Sequence, residues 1–344
     1  MRDGWGDEAL AEATPGGFPG GATLRSHPIG WVLAEDRPER SLGGALAWAG
    51  HAGVEELRLL ASSATGDLAR RAAEFARPPK VWEIEGPAVR RAQAAALEPD
   101  AAVPDAALPL LDVVQAAGAR PVGEHGVLTA EVLGLEVARV GVEGSNAWLE
   151  VGVGKHDREG QRLLHGDRSP LEALVAAVAE VRRLRVADAT SHPANLLSPE
   201  RWLRAVVLER PALAGAGVLV PIASTVVRRD LRSRAPAPAL GLGEDGAPVV
   251  VVCSVGIDPD LVPVAADVRA AARAGLVAPA PWIEHPWAGY PGGGRPGLVL
   301  VVPEGDDHAV TRELAAALVE PAAVRTVPGD WRRMVGADEA PSLP

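Results

Sequence analysis

The chain is short of most features that would name a function. It has one cysteine, Cys253, which sits inside an apolar run. A disulfide scaffold and a cysteine-cluster metal site are therefore excluded, and a buried thiol is expected. Long apolar runs are missing as well. Residues 213–227 form the longest weakly polar stretch and include Pro221, well under the ~20 residues a membrane span needs. The opening MRDGWGDEAL carries acids and no apolar core, unlike a signal peptide. Basic residues are outnumbered, 34 against 45 acids, for a net charge of −11. That argues against a broadly basic nucleic-acid footprint, although a local basic groove stays open. These absences lead to the expectation of a soluble cytoplasmic protein with no membrane segment and no bulk nucleic-acid binding. Its partner would be a small ligand or another protein, neither of which the sequence identifies.

Complete catalytic motifs are also lacking. No G-x-S-x-G occurs, so a nucleophile elbow is not expected. Gly241-Leu-Gly243-Glu-Asp-Gly246 has the letters of G-x-G-x-x-G but precedes a strand, where a phosphate-binding loop would open a helix; it reads as a turn. Gly152-Val-Gly154-Lys155 lacks both the upstream glycine and the following Ser/Thr of a P-loop. His192-Pro193-Ala194-Asn195 reads as a turn whose polar side chains cap nearby backbone. A bias toward Ala, Arg, Gly and Pro, with only two lysines, inflates the glycine and proline counts without functional meaning.

What is present is a pattern written twice. Ile29 to Ile84 reads apolar IGWVLAE, helical SLGGALAWAGHAG, apolar ELRLLAS, helical GDLARRAAEFA, then KVWEI. Pro248 to Val327 reads PVVVVCS, DLVPVAADVRAAA, GLVLVVPE, AVTRELAAALV, then AVRTV. Each is strand, helix, strand, helix, strand, the raw material of an open and mostly parallel sheet. The expected fold is α/β: two βαβαβ Rossmann-like halves, open to being one doubly wound sheet, flanking a central α+β module. The boundaries are a flexible lead-in over 1–27, a first half over 28–97, the module over 105–210, a second half over 211–330 and a tail over 331–344. Residues 98–109 read as a linker, and 211–247 hold one strand, GVLVPIAS, followed by a loop.

Ligands of doubly wound sheets bind at the C-terminal strand edge. The polar residues expected there are Asp36, Ser254, Asp258, Glu304, Asp307 and His308, although Asp258 and Asp307 equally suit helix N-caps. The segments after the two first strands, AEDRPERSLGG and SVGIDPD, are acidic and repel a pyrophosphate. A nicotinamide or flavin dinucleotide is therefore not expected, and no cofactor is assigned.

The middle region has a different grammar. A short helix ends at Gly118. GVLTAEVLG, LEVARVGV and AWLEVGVG then alternate as three antiparallel strands with turns at Gly134 and Gly144. Ser169, Pro170 and Glu172 make a capping box for a helix with Leu171, Leu174, Val175, Val178, Val181 and Leu184 on one face. Ser198-Pro199-Glu200 opens another. Charged residues crowd here, among them Glu131, Glu136, Arg139, Glu150, Asp157, Arg158, His165 and Asp167.

Helix, three strands, helix, with acids on the strands and a lysine near the end of the third, resembles the PD-(D/E)xK nuclease-like core over about 105–190. In that family an acid on one strand and an acid-x-lysine on the next bind a divalent metal and activate water. The resemblance implies Glu131, Glu136, Glu150 and Lys155 as catalytic candidates, and Glu136, Glu150 and Asp157 as metal candidates. The segment departs from the pattern in having no acid-x-Lys; Glu150 and Lys155 lie five apart, on opposite faces of a regular strand. Three functional readings result. The first is a non-catalytic or ligand-sensing scaffold with a degenerate nuclease-like module. The second is a metal-dependent phosphodiesterase or nuclease. The third is an interaction protein anchored by a loop carrying Trp282, Trp287 and Tyr290.

Overall fold

The computed structural model describes residues 13–155, 157–159, 169–186, 192–228, 230–284 and 295–334. It is a mixed α/β protein with three sheets containing parallel and antiparallel strands. Contacts divide it into two compact units. The first takes the chain up to Leu97 together with Ile257–Asp267 and His308–Ala323; the second takes Glu98–Gly256, Val268–Asp307 and the chain from Val324 onward.

In the first unit a six-stranded sheet runs in chain order: β1 (Thr14–Phe18), β2 (Gly21–Ser26), β3 (Ile29–Ala34), β4 (Glu56–Ala61), β5 (Lys80–Glu85) and β6 (Ala88–Arg91). β3, β4 and β5 are parallel. They are joined by helices α1 (Leu42–Ala52) and α2 (Thr65–Ala72). Val32, Leu59 and Val81 lie side by side in register, almost without exposure, on one face of the sheet. The expected flexible lead-in is corrected: residues 14–26 are an antiparallel hairpin that extends the sheet. Its glycines misled the reading, because they are needed for packing; a Cβ on Gly21 would stand 1.8 Å from the Leu33 carbonyl oxygen.

Helix α7 (Ala309–Ala316) belongs to the same unit. Phe75, after α2, and Leu318, after α7, form an isolated antiparallel bridge. Reciprocal hydrogen bonds flank it, from the Ala76 N–H to the Ala317 carbonyl and from the Val319 N–H to the Glu74 carbonyl, both 2.9 Å.

The second unit holds two sheets. One is antiparallel, ordered β10-β9-β8-β7, from β7 (Arg120–Glu124), β8 (Val127–Val132), β9 (Leu135–Glu143) and β10 (Asn146–Val151). Three strands were expected, and β7 is the fourth. Its Pro121 and Gly123 hide it from propensity, and it survives as an edge strand, where proline is tolerated. The β7–β8 turn is His125-Gly126, both at positive φ, as a two-residue hairpin requires. The capping box on α4 (Pro170–Leu184) is present. Leu174, Val178 and Val181 are buried against this sheet with Val114 of α3 (Leu111–Ala116), whereas Leu171 and Val175 are exposed. Residues 98–104 are pinned: the Asp100 carboxylate accepts from the His125 N–H at 3.1 Å, and the Ala101 carbonyl accepts from Gly126.

The other sheet is ordered β11-β12-β13-β14-β15, from β11 (Ala216–Pro221), β12 (Ala237–Gly243), β13 (Pro248–Cys253), β14 (Gly297–Pro303) and β15 (Ala323–Val327). β13 and β14 are parallel, and α6 (Leu261–Arg273) connects them in sequence. The two expected halves therefore supply strands to separate sheets. β12 was read as loop because APALGLG is poor in strand formers. Its small residues serve close packing instead: a Cβ on Gly241 would stand 1.9 Å from the Val218 carbonyl oxygen. Helix α5 (Pro199–Glu209) lays Trp202, Leu203, Val206 and Val207 onto Ala237, Ala239, Val251 and Cys253. Trp331 joins that core edge-on to Trp202, with ring centroids 5.8 Å apart and 1% exposure, and Met334 packs against it, so the expected tail does not begin at Trp331. Among the described residues no helix is long and apolar enough to cross a membrane.

Candidate functional site

The strongest concentration of buried charge lies in the second unit, where α5 meets the four-stranded sheet. Apolar residues of α5 face the five-stranded sheet. Arg201 and Arg204, three apart and so on a shared face of the helix, reach Glu124 at the end of β7 and Glu131 on β8. Each arginine binds both acids: Arg201 pairs with Glu124 and Glu131, and Arg204 reaches Glu124 at 2.8 Å and Glu131 at 3.4 Å. The close approach needs Gly134 in the β8–β9 turn, since it has φ +72° and a Cβ there would stand 2.3 Å from the Arg201 backbone.

Burial works against the charge on both acids, but Arg201 and Arg204 overcome it, holding Glu124 down to about 2 and Glu131 below its usual value. Burial also opposes the Arg201 charge, and Glu124 and Glu131 keep it firmly protonated. Glu136, opposite Glu131 across the β8–β9 pair, accepts from Nε and Nη2 of Arg139, both at 3.1 Å, and from Arg158 at 2.9 Å.

These groups line a cleft of about 210 Å³. Arg139, Arg201, Arg204 and Arg228 form its charged side, with Glu124 and Glu136; Val127, Val226, Ala235, Pro236, Ala237 and Pro238 form an apolar wall. Its remaining polar side chains are occupied. Thr129 donates to the Val122 carbonyl, the Ser224 hydroxyl accepts from the Val226 N–H, and His125 Nδ1 lies 3.0 Å from Asp100.

Arg228 differs from the other three arginines. It has no carboxylate within ion-pairing distance among the described residues, and its one hydrogen bond there runs from Nη1 to the Ser198 hydroxyl at 2.6 Å. Burial and then the Arg201 charge lower its pKa to about 10. It therefore remains a cation at neutral pH, in a wall shared with other cations. Ser198 heads α5 in a left-handed conformation without capping it, because its hydroxyl serves Arg228 and the Leu231 carbonyl.

Of the nuclease-type candidates, Glu131 and Glu136 come together across two strands and Glu150 is linked to Glu136 through Arg158, which lies 3.8 Å from Glu150. Lys155 does not join them: its side chain is 80% exposed and faces Glu159 at 4.0 Å. Asp157 is spent accepting from the Val153 N–H at 2.7 Å. The acids hold guanidinium groups, so a divalent cation would have to displace arginines from them, and these residues do not fit a metal site. Among the described residues no group of three His, Cys, Asp or Glu could hold a metal. His165 and Asp167 lie outside the described residues, as do Trp287 and Tyr290. Trp282 packs on Gly123 and Val103.

The strand-edge candidates fall in both units. In the first, Asp36 is exposed beside Arg37 at 3.9 Å; Asp258 accepts from Arg40 at 2.5 Å and from the Asp260 N–H; His308 caps α7, its Nδ1 accepting from the Val310 N–H. In the second, Ser254 is buried with its N–H on the Val301 carbonyl, while Glu304 and Asp307 are exposed after β14. The loops after β13 and β14 meet through the Gly256 N–H and Asp306. Cys253 is buried, and burial pushes its thiol up to about 12. His192 caps its own 3₁₀ turn; of the 241–246 glycines, Gly241 and Gly243 belong to β12, and Gly246 at φ 76° sits in the turn to β13.

Reading from sequence missed Glu124, Arg201, Arg204 and Arg228. Two signals pointed toward them: the His-Gly dipeptide that makes β7 a hairpin partner, and two arginines three apart on the face of α5 opposite its apolar stripe. No family model, no curated protein and no solved structure matches the chain.

Proposed function

We propose that this is a non-catalytic, ligand-binding α/β protein that holds a small anion in the arginine-lined cleft of its second unit. The nuclease-like region serves in this reading as the binding wall, a degenerate module whose acids position arginines and do not activate water. One observation carries the proposal: Arg228 is a partly buried cation in the cleft wall with no carboxylate within ion-pairing distance among the described residues. Burying a charge is costly unless something opposite meets it, and a bound anion would meet this one. The reading that Ile29–Ile84 and Pro248–Val327 are Rossmann-like copies belongs to the same proposal. It is supported by their shared element order and by the reciprocal bridge between Phe75 and Leu318.

A thermal-shift series tests it. Small anions at fixed ionic strength should raise the melting temperature of the wild-type protein and not of Arg228→Met, because a ligand stabilises only the state that binds it. A rise with divalent metals alone, together with metal-dependent cleavage of a nucleic acid, would replace this reading with the metal-dependent one.

A further inference from the structure

The cleft also constrains which anion it takes; this step rests on the proposal above. We infer that the ligand is a small monocarboxylate with a compact apolar body. Three independent features point there. First, charge: the four cleft arginines face three carboxylates, Glu124, Glu131 and Glu136, and the further arginine on Glu136, Arg158, is answered by Glu150. The arginines outnumber the carboxylates that meet them, and an anion offsets that excess. Second, donor geometry: Arg228 spends Nη1 on Ser198. Its Nε and Nη2 remain, a parallel pair of donors of the kind a carboxylate binds with both oxygens.

Third, size and lining. The cleft volume of about 210 Å³ lies below the roughly 300–1,000 Å³ of sites for drug-sized ligands. A carboxylate with a short branched or aromatic body matches that size better than a whole nucleotide. Pro236, Pro238, Ala235 and Val226 offer apolar surface for that body. The ligand class is thus an apolar organic acid, gripped at its head by Arg228 and packed along its body by the proline-containing wall.

The test compares benzoate and isovalerate with acetate, inorganic phosphate and AMP as sodium salts at constant ionic strength, read by thermal shift and by ligand-observed NMR saturation transfer. For the wild-type protein, benzoate or isovalerate should raise the melting temperature by a few degrees and acetate by less, since acetate lacks the body. Arg228→Met should weaken binding about tenfold or more and Arg228→Lys by less, as loss of a bidentate charged contact predicts. Circular dichroism of both variants shows whether they fold, and Lys keeps the test open if Met does not. An Arg228-dependent response to phosphate or AMP without one to the carboxylates would overturn this inference while leaving an anion-binding cleft. A carboxylate response that persists in both variants would overturn the assignment to Arg228. No Arg228-dependent response to any anion would overturn the inference and the proposed function together.

Discussion

Each unit contains a well-paired cluster of acids and arginines, and beside it a charged group that the cluster pairs less closely, Asp260 in the first and Arg228 in the second. In the first unit the paired acid is Asp267, unexposed and gripped by Arg70 at 2.8 and 3.0 Å and by Arg71 at 3.1 Å. The poorly served charge is Asp260. It accepts from the Gly43 N–H at 2.8 Å, but its nearest ion-pair partner, Arg40, is 3.9 Å away and sits closer to Asp258. In the second unit the paired acids are Glu124 and Glu131, and the poorly served charge is Arg228. The signs make the difference. Burial, with Asp258 nearby, raises Asp260 to about 6, so the aspartate can relieve its position by taking a proton. Arg228 at about 10 stays charged at any physiological pH, with Glu131, Glu124 and Glu136 supporting it only at longer range. The aspartate can shed its charge, and the arginine keeps it.

The comparison first requires that the paired clusters matter equally. Arg204→Met leaves Glu124 and Glu131 buried with Arg201 alone. Removing one partner of a buried pair costs about 3–5 kcal/mol, so urea unfolding should show a loss of that size. Asp267→Ala strands Arg70 and Arg71 and should cost nearly as much, about 2–4 kcal/mol, Arg70 keeping Asp67 at 2.7 Å as a second partner. If either substitution shifts the unfolding free energy by under about 1 kcal/mol, that cluster is decorative and the contrast with its less closely paired charge loses its baseline.

The next effect is smaller and depends on pH. The folded pKa of Asp260, about 6, lies above the unfolded value of 3.8. The folded state therefore binds the proton more tightly. This contribution to stability is present in full at about pH 4, fades as pH rises toward 6 and is absent above it. A shift of this size corresponds to about 2–3 kcal/mol. Asp260→Asn should remove that slope while preserving the hydrogen bond from Gly43, and should be at least as stable as wild type at pH 8. Glu124 acts with opposite sign: held at about 2, it favours the folded state above its unfolded pKa, and that support is lost as pH falls through 4 toward 2. Unfolding measured at pH 4, 6 and 8 for wild type and Asp260→Asn separates the two. Parallel curves would mean that Asp260 titrates as it does in the unfolded chain.

Regular elements were legible in the sequence wherever an apolar run or periodicity marked them, whether buried on one face like β4 or throughout like β13. All ten strands and helices of the two duplicated patterns stand where periodicity placed them, and so does the capped helix α4. Elements failed to show where close approach overrode propensity: β1 and β2 with their glycines, β7 with Pro121 and Gly123, β12 with alternating alanine and glycine. The acids of the middle region were visible as a cluster, but their partners were not. Arg201 and Arg204 sit more than sixty residues away from Glu124 and Glu131 along the chain, and only the packing of α5 brings them back. Reading those acids as metal ligands followed from seeing carboxylates without the guanidiniums that neutralise them.

The smallest expected effect discriminates best. Arg228→Met removes a cation that has no carboxylate within ion-pairing distance among the described residues, and one hydrogen bond to Ser198, whose hydroxyl keeps the Leu231 carbonyl at 3.3 Å. The methionine body can pack against Val226 and the proline wall. Replacing a poorly compensated buried charge by an apolar side chain is commonly neutral or stabilising. The ligand-free variant should therefore match wild type or exceed it by up to about 1 kcal/mol, measured as the urea midpoint in a buffer without carboxylate or phosphate. A group kept at a cost to stability is a mark of a binding residue. If Arg228→Met instead loses as much stability as Arg204→Met, Arg228 is a structural member of the same network. The contrast between Arg228 and Asp260 then disappears, and with it the support for the proposed anion site.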